Sequence, residues 1–301
     1  MQVELSAKNV TWQNISAPTP EELAKLVRES NVMPLDAEFI AQNYHHPEVV
    51  VRPNYLLLLI HVPVFNKELR VTAGASLYLI AQGEKLWTVH YEPIIVLEKL
   101  IKDFTENPEK PAEYFDEGGV GLALHIVSEM YSTAFTKLER LYKHINIAED
   151  AVFGGNERRM VEEVAILSRD VMDFRKIIRP QQRLFVTPLE HPLVSANAGI
   201  IWHRIAGQVD KLWDILQSLT ESIDGVAKTN STLLQYKQSQ LLQMLTYYSI
   251  LSVPVFILLT PFTPNSSDSP LSFHLIYWGT LATLVLILGL IYFRFRGKRV
   301  L

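Results

Sequence analysis

WHRIAGQVDKLWDILQSLTESIDGVAKTNSTLLQYKQSQLLQMLTYYSILSVPVFILLTPF, residues 202–262, is the stretch that decides the fold. Trp202, Ile205, Val209, Leu212, Leu216, Leu219, Ile223 and Val226 follow one another at steps of 3, 4, 3, 4, 3, 4 and 3. Three and a half heptads without an error predict a long helix buried along one seam. Asn230 takes the next seam position and Leu233 the one after it. No proline stands between Leu193 and Val253, so nothing forces this helix to stop before the apolar segment that follows. The 61 residues would extend on the order of 90 Å at 1.5 Å per residue. A plain coiled coil accounts for the seam, but not for its running directly into that segment. Any shift of such a stalk would reach the segment as the movement of a rigid lever.

The charge distribution breaks where the seam ends. From Gln238 to Phe293 the only charged side chain is Asp268, whereas Met1 to Lys237 carries 24 basic and 31 acidic residues, a net of −7. The charge-free tail holds two runs of bilayer length. Leu241 to Phe262 is the first and Leu275 to Phe293 the second, and residues 263–274, TPNSSDSPLSFH, carry turn chemistry between them. Arg294, Arg296, Lys298 and Arg299 follow the second run, while the connecting loop has no Lys or Arg. The positive-inside rule then predicts a helical hairpin with an extracellular loop, a basic cytoplasmic tail over 294–301 and a cytoplasmic N-terminal body in the inner (plasma) membrane. No N-terminal apolar stretch resembles a signal peptide.

The two runs differ in character. The second is Leu-rich, with Tyr277, Trp278 and Tyr292 near its ends as interfacial anchors. The first contains Gln243, Thr246, Tyr247, Tyr248, Ser249, Ser252 and Thr260, and Pro254, which bends a helix. Polar groups inside a bilayer face protein or water. Helix packing through small residues and a water-filled path along this helix both account for them.

The N-terminal body divides at about residue 110. Residues 1–110 read as an α/β domain, with strands over Leu56–Val62, Ser76–Ile80 and Leu86–His90, a turn at Gln82-Gly83-Glu84, and helices over Thr19–Ser30 and Pro93–Phe104. Residues 111–195 read as a helical hairpin. Its first helix covers Val120–Val152 and stops at Gly154-Gly155; its second covers Glu157–Ile178 and is ended by Pro180. His191-Pro192 breaks the chain before the stalk, residues 196–240. The fold class expected is thus an α+β membrane protein: a cytoplasmic α/β domain, a long-helix stalk and two C-terminal transmembrane helices.

Composition excludes several functions. With no cysteine there is no disulfide frame, thiolate metal site or thiol nucleophile. A net charge of −4 without a basic stripe argues against nucleic acid as a partner. No phosphate loop, ATP-binding motif or nucleophile–base set is visible, so an enzyme is not expected, nor a bound cofactor. His45-His46 beside Glu48 has metal-ligating types without a third ligand at metal-site spacing, and reads as a polar loop before a strand.

An α/β domain, a helical hairpin, one very long helix that becomes the first membrane span, an extracellular turn, a second span and a short basic tail resemble the CorA-type magnesium and cobalt transporters from about Val32 to Leu301. That family carries a Pro within its first span and ends the span on an aromatic residue followed by Gly-Met-Asn. Here the same spacing holds Pro254 and then Phe262-Thr263-Pro264-Asn265. The aromatic and the Asn match; the Gly and Met do not. The resemblance implies a homopentamer around a pore, with the lipid bilayer and divalent cations as its other partners. It puts Asn265, with Phe262, Thr263 and Pro264, at the pore entrance, and Leu242, Leu245, Ser249, Val253, Phe256 and Thr260 on the inward face of the first span. Asn265 equally suits a turn, since Asn-Ser is a common turn pair. Relatives bind regulatory Mg²⁺ between acidic soluble domains, but His203-Arg204 stand where they carry an acidic ligand; Asp210 and Asp214 are the nearby acids.

The physics of an amide ring is independent of that likeness. Mg²⁺ dehydrates reluctantly, and amide oxygens can hold its water shell without stripping it or binding it too firmly for conduction. Apolar rings such as Leu242, Leu245, Val253 and Phe256 can gate by dewetting. Membrane potential supplies about 4.6 kcal/mol per 100 mV for a divalent cation, so no fuel is needed. The expected function is an oligomeric divalent-cation channel taking up Mg²⁺, with Co²⁺ and Ni²⁺ as further ions. A Zn²⁺ transporter of the same superfamily and a non-transporting membrane anchor or sensor are the alternatives.

Overall fold

The computed structural model describes residues 2–7, 9–43, 46–66, 71–106, 114–189 and 192–259, together with 278–279, 281–283 and 285–286. Six strands, β1 (Gln2–Ala7), β2 (Val10–Ser16), β3 (Glu48–Val51), β4 (Leu56–Asn66), β5 (Val71–Gln82) and β6 (Lys85–His90), form one sheet in the order β1-β2-β6-β5-β4-β3. β2 and β6 pair in parallel and every other pair is antiparallel. Among the described residues the helices that pack the N-terminal part are α1 (Pro20–Ser30), α2 (Pro34–Ala41), α3 (Ile95–Glu106), α4 (Gly118–Phe153) and α5 (Glu157–Val186), followed by the long α6 (Ala196–Leu259). The chain divides into two compact units, residues 1–230 and 231–301.

The central strands are apolar on both faces because helices cover both. Leu57, Leu59, Tyr78, Ile80, Trp87 and Val89 pack with Leu26 and Ile40 of α1 and α2. By the period of a strand, Leu56, Leu58, Ile60, Leu77 and Leu79, also buried, point to the opposite face, and α4 and α5 pack on β4 and β5. Continuous apolar runs therefore replace alternation here. The expected strands are all present; β4 and β5 are longer than expected, and Gln82 pairs with Lys85 across a turn at Gly83 (φ 53°). α1 begins as expected: the Thr19 hydroxyl accepts from Glu22 N while the Glu22 carboxylate accepts from Thr19 N, a reciprocal cap.

Three polar devices fix the elements to one another. Between β2 and β6, Trp12 Nε1 donates to Thr88 Oγ1 (3.0 Å), which donates to Asn14 Oδ1 (2.7 Å), and Asn14 Nδ2 lies 3.4 Å from His90 Nε2. At α2, Asp36 accepts from Arg52 Nε (2.9 Å), Arg52 Nη2 (2.8 Å) and Tyr55 OH (2.5 Å). The Arg52 hydrogen bond is the main reason the Asp36 carboxyl lies below its usual range. On β4, the strand β3 ends its pairing at Leu59, and the outward backbone groups of His61 and Pro63 lie beyond it. The buried side chain of Gln181 takes that place: Nε2 donates to His61 O (2.9 Å) and Oε1 accepts from His61 N (3.1 Å) and Tyr131 OH (2.7 Å). Lys137 Nζ donates to Pro63 O, and burial lowers the pKa of that amine. A helix side chain thus acts as one residue of a missing strand.

Pro180 does not end α5, contrary to the expectation of a stop after Ile178. The helix runs through it to Val186. Proline removes one backbone donor, but the next residue is Gln181, and Phe185 packs edge-on against Tyr131 (5.9 Å) and beside Trp202 (4.7 Å). Those tertiary contacts hold the last turn in helical form. Strands β1 and β2, β3, and helix α2 are elements that the sequence reading did not recognise.

Among the described residues no helix is long and apolar enough to cross a membrane. The first predicted span is described only as far as Leu259, and most of the second lies outside the described residues, as do the loop 263–274, the tail 294–301 and His45.

Two substitutions test these joints. Gln181→Leu, close in volume, strands the His61 backbone and Tyr131 OH inside the protein; equilibrium unfolding should show a loss of about 3 kcal/mol. Gly119 N donates to Gly83 O (2.8 Å), and a Cβ on Gly119 would collide with the carbonyl of Lys85. Gly119→Ala should cost about 2 kcal/mol in the same measurement, since backbone cannot swing aside as a side chain does.

Candidate functional site along α6

The root of α6 is tied to α4. Ser195 caps the helix, its Oγ accepting from Ala198 N at 3.0 Å. The same hydroxyl donates to Glu117, whose other oxygen accepts from Asn197 Nδ2 at 2.7 Å. A carboxylate at a helix N-terminus also meets the positive end of the helix dipole. The hydrogen bonds from Ser195 and Asn197 hold the Glu117 carboxyl below its ordinary range.

Above this root the predicted seam is buried residue for residue, from Trp202 to Val226. Its partner is the chain's own hairpin. Trp202 Nε1 donates to Thr187 O (3.0 Å), Ser128 Oγ to Gln208 Oε1 (3.1 Å), Gln182 Nε2 to Asp210 Oδ1 (2.9 Å) and Arg175 Nη1 to Thr220 Oγ1 (3.0 Å). The Arg175 and Arg179 guanidinium groups lie 5.0 and 5.8 Å from the centre of the Trp213 ring. Asp210 and Asp214 are both exposed, and Asp210 is engaged by Gln182. Among the described residues no group of three or more His, Asp or Glu side chains is arranged to hold a metal ion.

Further along, α6 changes character without a break in the helix, which continues through Pro254 to Leu259. Leu242, Leu245, Ser249, Val253 and Phe256 follow at steps of 3, 4, 4 and 3, the advance of a straight helix, so they form a single stripe. Leu242, Leu245, Val253 and Phe256 are exposed, Phe256 at 75%. Hydroxyls on this part of the helix are turned back on it: Thr246 Oγ1 donates to Leu242 O (2.8 Å), Ser249 Oγ to Leu245 O (2.9 Å) and Ser252 Oγ to Ser249 O (2.8 Å). With its proton committed to the backbone, each hydroxyl offers oxygen lone pairs outward. That is the polarity a cation's water shell requires. Thr260, Phe262, Thr263, Pro264 and Asn265 lie outside the described residues. The sequence reading did not foresee Glu117 as the anchor of α6, because its partners Ser195 and Asn197 are about 80 positions away.

Comparison with known proteins follows the same architecture. The family described as CorA-like Mg²⁺ transporter protein matches residues 7–299. The cobalt/magnesium transport protein CorA of Methanocaldococcus jannaschii is 22% identical over 289 residues, 95% of this chain and 89% of that protein. The protein of the same description from Thermotoga maritima is 20% identical over 255 residues, 81% of this chain and 70% of that one. The complete structure of the CorA magnesium transporter from Methanocaldococcus jannaschii matches with a TM-score of 0.79 and 21% identity, covering 98% of this chain and 92% of that one. At such identity the structural likeness is one of fold.

The Glu117 joint makes a pH prediction. Its folded carboxyl pKa is depressed, so its contribution is complete above the ordinary Glu value of about 4.3 and is lost as pH falls through the folded value. Amides at the start of α6 should lose protection from hydrogen exchange below that pH. Glu117→Gln should remove the pH step while leaving exchange farther along α6 unchanged.

Proposed function

The chain belongs to the CorA-like Mg²⁺ transporter family, and from that premise we propose that it is an oligomeric conduit for divalent cations, Mg²⁺ first, with Co²⁺ and Ni²⁺ as further candidates. The observation that carries this reading is the stripe Leu242, Leu245, Ser249, Val253 and Phe256 on the uncharged end of α6. Its apolar members are exposed and its hydroxyl is oriented as an acceptor. An exposed apolar stripe of this length calls for a covering surface. Neighbouring copies that turn it toward a common axis would supply one, with apolar constrictions that gate by dewetting on either side of the Ser249 hydroxyls.

In this proposal Leu241–Phe262 and Leu275–Phe293 cross the inner membrane, with both termini in the cytoplasm. Two helices cannot enclose a pore, so several chains share it; the family resemblance makes five the expected number. The first span faces the axis and the Leu-rich second span faces lipid. Asn265, after Phe262-Thr263-Pro264, stands at the outer mouth, where amide oxygens accept hydrogen bonds from the ion's water shell. Thr260 adds a hydroxyl ring below it, and Pro254 bends the span. Membrane potential alone drives uptake. The acidic N-terminal unit, with Asp210 and Asp214 on the stalk, concentrates cations near the cytoplasmic end.

Flux into liposomes under an inside-negative potential tests the reading. Mg²⁺ entry should follow the imposed potential, and Asn265→Ala should lower it about tenfold or admit ions the parent excludes. Preference for Zn²⁺ over Mg²⁺, Co²⁺ and Ni²⁺ would transfer the chain to a zinc-carrying role. No flux of any of the four would leave it a membrane anchor. Unchanged transport by Asn265→Ala would return that residue to a turn.

A further inference from the structure

α5 turns basic toward its end. From Phe174 to Leu189 the chain carries Arg175, Lys176, Arg179 and Arg183 and no acidic residue, although Met1 to Lys237 as a whole is acidic. Lys176 pairs with Asp173 at 2.8 Å, and Arg169 approaches the same carboxylate at 3.8 Å. Arg175, Arg179 and Arg183 follow one another at steps of four, so they share one face of α5 over about 12 Å. That face borders α6. The Arg175 and Arg179 guanidinium groups converge on the half-buried Trp213, at 5.0 and 5.8 Å from the ring centre. Arg175 Nη1 also donates to Thr220 Oγ1 at 3.0 Å. Arg179 and Arg183 are exposed.

Two guanidinium groups held against one ring repel each other. Among the described residues no carboxylate forms an ion pair with Arg175, Arg179 or Arg183. Asp210 of α6 accepts from the neutral amide of Gln182, the residue before Arg183, at 2.9 Å. The carboxylates of this region are thus committed elsewhere or left in water, and the three arginines keep their full charge. Stacking uses the flat face of a guanidinium and leaves its edge N–H groups directed outward. Such edges bind phosphate oxygens in pairs, with charge assistance. Three of them, spaced about 6 Å apart along the helix, match a run of linked phosphates better than one small anion. Trp213 is already engaged by guanidinium, so recognition falls on phosphate oxygens rather than on a nucleobase.

We infer that Arg175, Arg179 and Arg183, ordered against Trp213, form a binding site for a small molecule that carries a polyphosphate chain. Arg175, fixed by Thr220 and the ring, is the orienting member; Arg179 and Arg183 close on successive phosphate groups from the solvent side. Because the arginines belong to α5 and the ring that orders them to α6, a bound ligand favours the packed pair of helices. This does not rest on the transport reading. The site lies within residues 1–230 and uses no residue of the conduit.

Calorimetric titration of the full chain in detergent micelles with inorganic tripolyphosphate, in the absence of divalent cations, decides it. The parent should saturate with a Kd below about 1 mM. Arg179→Gln and Arg183→Gln should each weaken binding about tenfold, the loss of one charge-assisted contact. Arg169→Gln removes a guanidinium of the same helix that faces Asp173, and should leave the affinity within about twofold of the parent. Trp213→Leu keeps every charge yet should weaken binding about fivefold, because the arginines lose the ring that orients them. Adenosine triphosphate should compete with tripolyphosphate, and phosphatidic acid added to the micelles should not. Displacement by phosphatidic acid would assign the phosphate to a lipid headgroup and overturn the small-molecule site. Absence of saturation in the parent would overturn it too. So would equal weakening by Arg169→Gln and Arg179→Gln, which would reduce the effect to general attraction toward positive charge. Should Trp213→Leu fail to fold, the contrast between those two exposed arginines decides alone.

Discussion

Burial of one face of α6 against the chain's own α4–α5 hairpin is the constraint on which the rest of the molecule depends. A helix of 64 residues is held by its packed face rather than by propensity. The eight apolar seam side chains remove that face from water, and the polar contacts at Thr187, Gln208, Asp210 and Thr220 fix its rotation. The hairpin is in turn fixed to the sheet, where Gln181 and Lys137 donate to the backbone of β4 beyond its pairing with β3. Sheet, hairpin and stalk form one chain of dependence. A fault at the β4 edge would loosen the surface on which α6 lies.

The same helix changes what it offers along its length. As far as Val226 it presents apolar groups inward and charged groups outward, the pattern of a protein packed in water. Beyond Leu241 large apolar side chains are exposed and hydroxyls bond their own backbone. Satisfying a hydroxyl proton on the preceding turn lowers the cost of placing it in an apolar setting. It also leaves an oxygen directed outward. The arrangement suits a helix with apolar surroundings on some sides and water on another.

Much of this was legible from residue spacing. The seam from Trp202 to Val226 is local periodicity, and the structure buries each of its members. The turn at Gly83 and the cap at Thr19 are encoded within four residues of themselves. Pro180 was misleading for the opposite reason: its local preference to stop α5 is outweighed by Gln181 and Phe185, whose partners His61, Tyr131 and Trp202 are remote in sequence. β1 and β2 escaped notice because their alternation is polar on one face and short. Their place in the sheet depends on parallel pairing with β6, about 74 residues away.

The sequence by itself determined that a heptad seam passes without interruption into an uncharged segment, because helical period and charge are carried by neighbouring residues. It likewise placed Asn230 at the next seam position after Val226. Only the tertiary structure decided that the seam closes on the chain's own hairpin, that Glu117 anchors the root of α6, and that among the described residues the Asn230 oxygen is left without a partner. Those outcomes require groups tens of residues apart to arrive at hydrogen-bond distance. Nothing in local spacing specifies that; the packing of α4, α5 and α6 against one sheet does.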